Sequence, residues 1–301
     1  MEKQTTGMIS SNYRYREEKP VKSYLTLEII ERTLKSVTSK IGLAILLIIV
    51  LSCIFAPLLT KYDPNSPNVG PRFQTPNAEH IMGTDELGRD IFTRLLYGGR
   101  YSLGIGFAAS AFSVLCAIII GSIAGYFGGK VETVIMRLMD VWSALPQMLL
   151  AILISSALGT GFFNTVLALG IGEIPYGVRM IRAQILSVRS SEYLEAAETI
   201  NCSKLSIMFK HLLPNVVSPM IISFTMQIGG NITLAAGLSY IGLGIQPPAA
   251  EWGAMLSSAR SHMMIYPHLI IFPGLAIGLT ILATNLLGDG LRDALDPRLR
   301  K

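Results

Sequence analysis

The stretch Tyr101–Gly129 reads YSLGIGFAASAFSVLCAIIIGSIAGYFGG, 29 residues without a charged side chain. A helix needs roughly 20 apolar residues to cross about 30 Å of hydrocarbon, so this run alone predicts a membrane span. Its small residues recur at helix–helix spacing. Gly121 and Gly125 form a GxxxG, and Gly104, Gly106, Ala108 and Ala109 precede them. Lipid supplies no hydrophobic drive between helices, so close approach of small residues is what joins them. The segment GIGFAA superficially matches a dinucleotide-binding GxGxxA, but no strand precedes it and it lies inside a span, so it reads as packing. Ile41–Leu59 adds 19 uncharged residues and His211–Ala250 adds 40. Over the whole 301 residues 50% are hydrophobic and 15% charged, with mean hydropathy +0.48. Soluble domains carry about 25% charge. The expectation is an all-α membrane protein.

The pattern predicts six transmembrane helices, near 41–59, 102–126, 136–157, 162–182, 215–237 and 268–287. With the amino terminus inside, 19 of the 25 Lys and Arg residues fall on the inner side and 6 on the outer. The positive-inside rule then puts both termini in the cytoplasm. The net charge of +5 is therefore a matter of topology and does not argue for a nucleic-acid partner. Residues 1–40 read as a cytoplasmic tail. It ends in an amphipathic pre-membrane helix with Leu27, Ile30, Leu34 and Val37 on one side, suited to a lipid surface. Residues 41–301 form the membrane domain, with an extracytoplasmic loop 60–101 and an inner polar loop 190–214. Within the outer loop, Leu87, Ile91 and Leu95 suggest an amphipathic helix over Asp85–Arg100. Cys53, Cys116 and Cys202 have no CxxC spacing and read as free thiols. VLSC at Val50–Cys53 resembles a lipoprotein cleavage box, but the 40 residues before it are too long for a signal-peptide n-region, so this segment reads as an uncleaved span.

The inner loop EYLEAAETINCSKLSIMFKHLLPN, Glu192–Asn215, is polar between apolar runs. Ser191 suits an N-cap, and Glu192 and Glu195 fall in the first turn, where the helix dipole favours acids. Leu194, Ala197 and Ile200 line another face. Asn201 tolerates the left-handed conformation at a helix end, and Ser203 can cap a second helix. Leu205, Met208, Phe209 and Leu212 give that helix an apolar stripe. The residues encode helix, sharp turn, helix. They leave two readings open: a loop resting on lipid, or a knob docking into a soluble protein. The small Ala196–Ala197 centre suits close approach to a protein groove, and the acidic rim is less suited to anionic lipid.

These residues resemble the EAA loop of ABC-importer permeases, with Glu195-Ala196-Ala197 at its head and Leu213-Pro214 at its end. HIMGTDELGRDIFTRLLYGGRYSL (His80–Leu103), MRLMDVWSALPQMLLAILI (Met136–Ile154) and GDGLRDALDPRLR (Gly288–Arg300) are similar to the C-type permease subunits of the dipeptide/oligopeptide/nickel family. The resemblance covers nearly everything after residue 40. It implies a type I ABC importer fold in a prokaryotic cell membrane and transport of di- or oligopeptides, with nickel or a metal chelate as the alternative cargo. It also implies a B-type permease partner, two cytoplasmic ATPases that bind ATP and Mg, and an extracytoplasmic substrate-binding protein. Glu195, Ala196, Ala197, Asn201, Leu213 and Pro214 would then couple the spans to an ATPase. Asn201 stands where the family has Gly, and Asn is the residue next best suited to a left-handed turn.

No GxxxxGK[ST] occurs, so the chain lacks an ATP site of the usual kind, and no HExxH occurs. The chain reads as a transport subunit without an enzymatic site or a cofactor of its own. An ion-coupled secondary transporter would call for several intramembrane charges and an internal repeat. One clear intramembrane candidate stands out, Glu173, in mid-span four. A carboxylate there is costly and points to function, here a translocation path that attracts a cationic group. The bland alternative is a Glu satisfied by neighbouring polar groups. Gln227, Asn231 and Asn285 are polar positions in spans five and six, read first as interhelical hydrogen bonds and second as path residues. His80, His262 and His268 lack metal-ligand spacing and read as solvated, so no metal site is expected. Pro146, Pro175 and Pro219 are candidate kinks.

Overall fold

The computed structural model describes residues 31–189 and 213–295, together with residues 206, 208 and 212. Its helices are α1 (Val37–Ile54), α2 (Ala56–Leu59), α3 (Ile91–Phe127), α4 (Gly129–Trp142), α5 (Gln147–Leu158), α6 (Phe162–Arg189), α7 (Leu213–Tyr240), α8 (Trp252–Ala259) and α9 (His268–Leu295). No strand occurs among the described residues. Four helices, α1, α3, α9 and the Pro219–Tyr240 part of α7, are long and apolar enough to cross a membrane, and α4 with α5 makes a fifth if that bent pair is one span. The expected fourth span, α6, has the length but carries Glu173, Arg179 and Arg182 and is not among them.

Three expectations change. The loop 60–101 is shorter, because Ile91–Tyr101 is already helical, and Asp85–Arg100 is not a separate outer helix. Gly88, at φ 70°, turns the chain, and the Asp90 carboxylate then accepts from Thr93 N–H to cap α3, which runs unbroken for 37 residues. The expected span 136–157 is broken: α4 and α5 meet at 82°. Pro146 disfavours a helical conformation at Leu145, and the chain turns there. Finally, α1 starts at Val37, after a break in helix at residues 34–36, so Val37 does not extend an amphipathic pre-membrane helix. Leu27 and Ile30 lie outside the described residues.

Helices α3 and α7 contribute to all three apolar clusters of the interior and form its axis. The GxxxG reading holds. A Cβ on Gly121 would stand 2.7 Å from Cβ of Ile181, and one on Gly125 would stand 2.9 Å from Cβ of Ile185, both on α6. Real Cβ atoms do not come so close, so the α3–α6 crossing exists only because those side chains are absent. On the far side of α3 from these glycines, Leu115 and Ile119 stay exposed, as a lipid-facing or partner-facing side requires. Gly128, at φ 64°, ends α3 and starts α4 with no intervening loop, a conformation glycine adopts without strain. Cys53 and Cys116 are unbridged, and Cys202 lies outside the described residues.

Candidate functional site: a polar triad within the helices

Three helices place one polar side chain each at the same point. Asn231 on α7 is fully buried. Its Nδ2 donates to Ser110 Oγ of α3 at 2.9 Å and to Glu173 Oε2 of α6 at 3.0 Å. Both amide hydrogens are thereby used, which fixes the orientation of the amide. Asn231 Oδ1 remains buried without a donor. One turn earlier on α7, Gln227 Nε2 donates to Ser223 Oγ at 3.3 Å, and Gln227 Oε1 is likewise buried without a donor. Gln147, at the start of α5, packs against Gly172, next to Glu173, and its Nε2 makes no hydrogen bond.

The unpaired atoms are of both kinds, two amide oxygens (Asn231 Oδ1 and Gln227 Oε1) and one amide nitrogen (Gln147 Nε2), where buried polar groups are normally paired. Asn231 makes the interhelical bonds expected of it and also orients Glu173. Gln227 bonds only within its own helix among the described contacts, and Asn285 sits on the exposed side of α9. Glu173 is partly buried and accepts from the Asn231 amide.

A second set of contacts joins α6 to α4. Arg182 Nε donates to Glu132 Oε1 at 2.6 Å, and Arg179 donates to Asp140 Oδ1 at 3.1 Å and to the Met139 carbonyl at 3.2 Å. Helix α6 is the one that leads into residues 190–212. Glu195, Ala196, Ala197 and Asn201 lie outside the described residues. Leu213 and Pro214 open α7, where the missing proline N–H leaves no helical bond unmade. Just before them, Leu212 is buried with Ile181, Ile185 and Met220.

Between α2 and α3 the chain builds a cap whose charged core the sequence reading missed. Asp85 accepts from Arg89 Nε at 2.7 Å and lies 3.5 Å from Arg94 Nε, with both guanidiniums buried. Arg94 also donates to the Pro64 carbonyl at 2.7 Å, tying the cap to α3. His80 is not solvated: it is buried, with Nδ1 2.9 Å from Asp90 Oδ1. His268 is buried too. Glu251 is buried as well, capping α8 through Ala254 N–H and accepting from Ser102 Oγ of α3 at 2.9 Å. An acid three residues ahead of a Thr at a helix start is a legible cap signal, and Asp90–Thr93 carries it.

Comparison with known proteins places this architecture. Residues 117–301 match the family model of the binding-protein-dependent transport system inner membrane component, and residues 25–76 match the N-terminal transmembrane domain of oligopeptide transport permease C. The chain is 46% identical over 264 residues to the glutathione transport system permease protein of Pectobacterium atrosepticum, covering 86% of each chain. It is 42% identical over 260 residues to the dipeptide transport system permease protein of Alkalihalophilus pseudofirmus, again covering 86% of each. Its fold is similar to a chain of the inward-facing MetNI methionine ABC transporter, with TM-score 0.55 at 15% identity over 67% of this chain and 97% of that one. The chain is a multi-pass inner-membrane protein, and it belongs to the binding-protein-dependent transport system inner membrane components, among the C-type permeases of the peptide/nickel group.

Proposed function

We propose that this chain is one half of the translocation pathway of an ATP-driven importer of di- and oligopeptides. The observation that carries the reading is similarity along most of both chains to permeases named for dipeptides and glutathione. Nothing among these relatives favours nickel as cargo. In this reading α6 and the α4–α5 pair complete six spans, both termini are cytoplasmic, and a B-type permease supplies the other half. Two ATPases bind ATP and Mg, so the chain needs no cofactor of its own, and an extracytoplasmic protein delivers the peptide. The test is reconstitution of the chain with its candidate partners in vesicles, followed by uptake of labelled dipeptides. ATP-dependent uptake is expected. Failure to assemble with any ATPase, or uptake without ATP, overturns the proposal.

Coupling runs through residues 190–214, with Glu195, Ala196 and Ala197 seated in a groove of one ATPase and Leu213 and Pro214 carrying the motion into α7. What supports this is the EAA pattern, together with the ion pairs that brace α6 against α4 at the end facing that loop. Asn201 serves as the left-handed turn. Asn201→Gly is expected to leave uptake unchanged and Asn201→Val to impair it, and wild-type uptake by the Val variant would remove the turn argument.

Glu173, Asn231 and Gln227 belong to the pathway. Glu173, a partly buried carboxylate with no cation beside it among the described residues, suits a passing ammonium group, which brings three donors and no acceptor. Ser110 and Asn231 act as positioning residues for that carboxylate.

A further inference from the structure

A cleft at the far end of the first span has no part in the transport reading. It is an open hollow of about 540 Å³ beside α2. One side is apolar and open: Leu58, Leu59 and Ile81 are 81%, 51% and 62% exposed. Leu58 also continues the exposed stripe of α1 formed by Ile48, Leu51 and Phe55, at helical spacing. A stripe of this kind on a membrane-spanning helix faces acyl chains, and the cleft begins where the chain leaves the helix at Thr60.

The other side of the cleft is charged with both signs. Lys61 Nζ lies 5.0 Å over the ring of Tyr62, and the hydroxyl of the same tyrosine donates to Glu79 Oε1 at 3.4 Å. Tyr62 is itself stacked on buried His80, with ring centroids 5.1 Å apart. The stacked ring of Tyr62 therefore stands between an exposed ammonium and an exposed carboxylate on the mouth of an apolar cleft. Lys61 offers only donors and Glu79 only acceptors. The complementary ligand carries an anion and an N–H cation a few bonds apart, above apolar tails. A tyrosine at this depth fits the membrane–water boundary, where aromatic residues with one wet end collect.

We propose that this cleft seats phosphatidylethanolamine, with its phosphate on Lys61, its primary ammonium on Glu79 and its acyl chains along Leu58 and the α1 stripe. The site is independent of the cargo and of the partner ATPases. Phosphatidylcholine has the same phosphate but no N–H on its cation, and phosphatidylglycerol has no cation, so neither satisfies both charges.

Native mass spectrometry of the full-length chain, purified in mild detergent and titrated with each of the three lipids, tests this. Retention of phosphatidylethanolamine is expected to exceed that of the other two about tenfold, the worth of one charge-assisted hydrogen bond. Glu79→Gln is expected to remove the preference over phosphatidylcholine, and Lys61→Ala to weaken all phospholipids, while Lys130→Ala changes nothing. Equal retention of the three lipids by the wild type, or an undiminished preference in Glu79→Gln, overturns the proposal. A photoreactive residue at position 58, introduced in membranes containing the assembled transporter, separates the remaining occupant. Cross-linking to lipid supports the site, and cross-linking to a partner permease overturns it.

Discussion

Asp85 and Glu173 are both largely withdrawn from water, and their surroundings differ in one respect. Asp85 is saturated. Two guanidiniums approach it, and its Oδ1 accepts from the Leu87 and Arg89 N–H groups at 2.9 and 3.0 Å. Glu173 meets no guanidinium or ammonium among the described residues. Its described hydrogen bond comes from a neutral amide, and the nearest spare polar atoms on α7, Asn231 Oδ1 and Gln227 Oε1, are further acceptors. A saturated charge is an architectural joint, whereas a carboxylate held by neutral amides alone can still accept a donor from outside. The cap between α2 and α3 and the triad inside the helices therefore each use a carboxylate, for opposite ends.

The contrast can be broken at its strong side first. Asp85→Ala leaves two buried like charges, Arg89 and Arg94, without their anion and is expected to cost about 3–5 kcal/mol. Thermal unfolding of the detergent-purified chain measures it, and adding Arg94→Met should recover part of the loss. An Asp85→Ala protein that melts with the wild type would show that the joint is ornamental. Next comes the uncharged crossing. Gly121→Leu drives a side chain into Ile181 and is expected to cost about 1–3 kcal/mol, seen as lower yield of monodisperse protein and a lower Tm. The smallest effect on stability is expected at Glu173→Gln, within about 0.5 kcal/mol, because the Asn231 amide still finds an oxygen to donate to. Transport should separate what stability does not: uptake of peptides with a free ammonium is expected to fall about tenfold, and that of N-acetylated peptides to stay level. Uptake of both kinds of peptide by this variant at the wild-type level sinks the pathway role of Glu173.

Much of the membrane interior was readable because its rules are local. Charge-free length marks the spans, and Gly121 with Gly125 marks a crossing whose partner, α6, only the structure names. Pro146 carried a local signal for the 82° bend, since proline restricts the residue before it, but the apolar run on either side outweighed that signal. The unbroken α3 was missed for the opposite reason: Leu87, Ile91 and Leu95 have helical spacing, yet the turn at Gly88 separates the first from the others. His80, Arg94 and Glu251 were beyond reach, because their partners lie across a loop or on another helix and no spacing rule connects them. Asn231 was assigned a bond between helices, but its pairing with Glu173 joins positions 58 residues apart.

The unbroken α3 has a mechanical consequence. Its 37 residues make a rod about 56 Å long, well beyond the roughly 30 Å of hydrocarbon. The excess carries Arg94 and the capped end at Asp90 above the oily layer on the same rigid shaft that crosses α6 within it. Such a shaft is a lever: a tilt of about 10° at one end sweeps the other through about 10 Å. A rocking motion between α3 and its neighbours would thus arrive at the cap as a displacement as wide as a helix, with no hinge needed along the way.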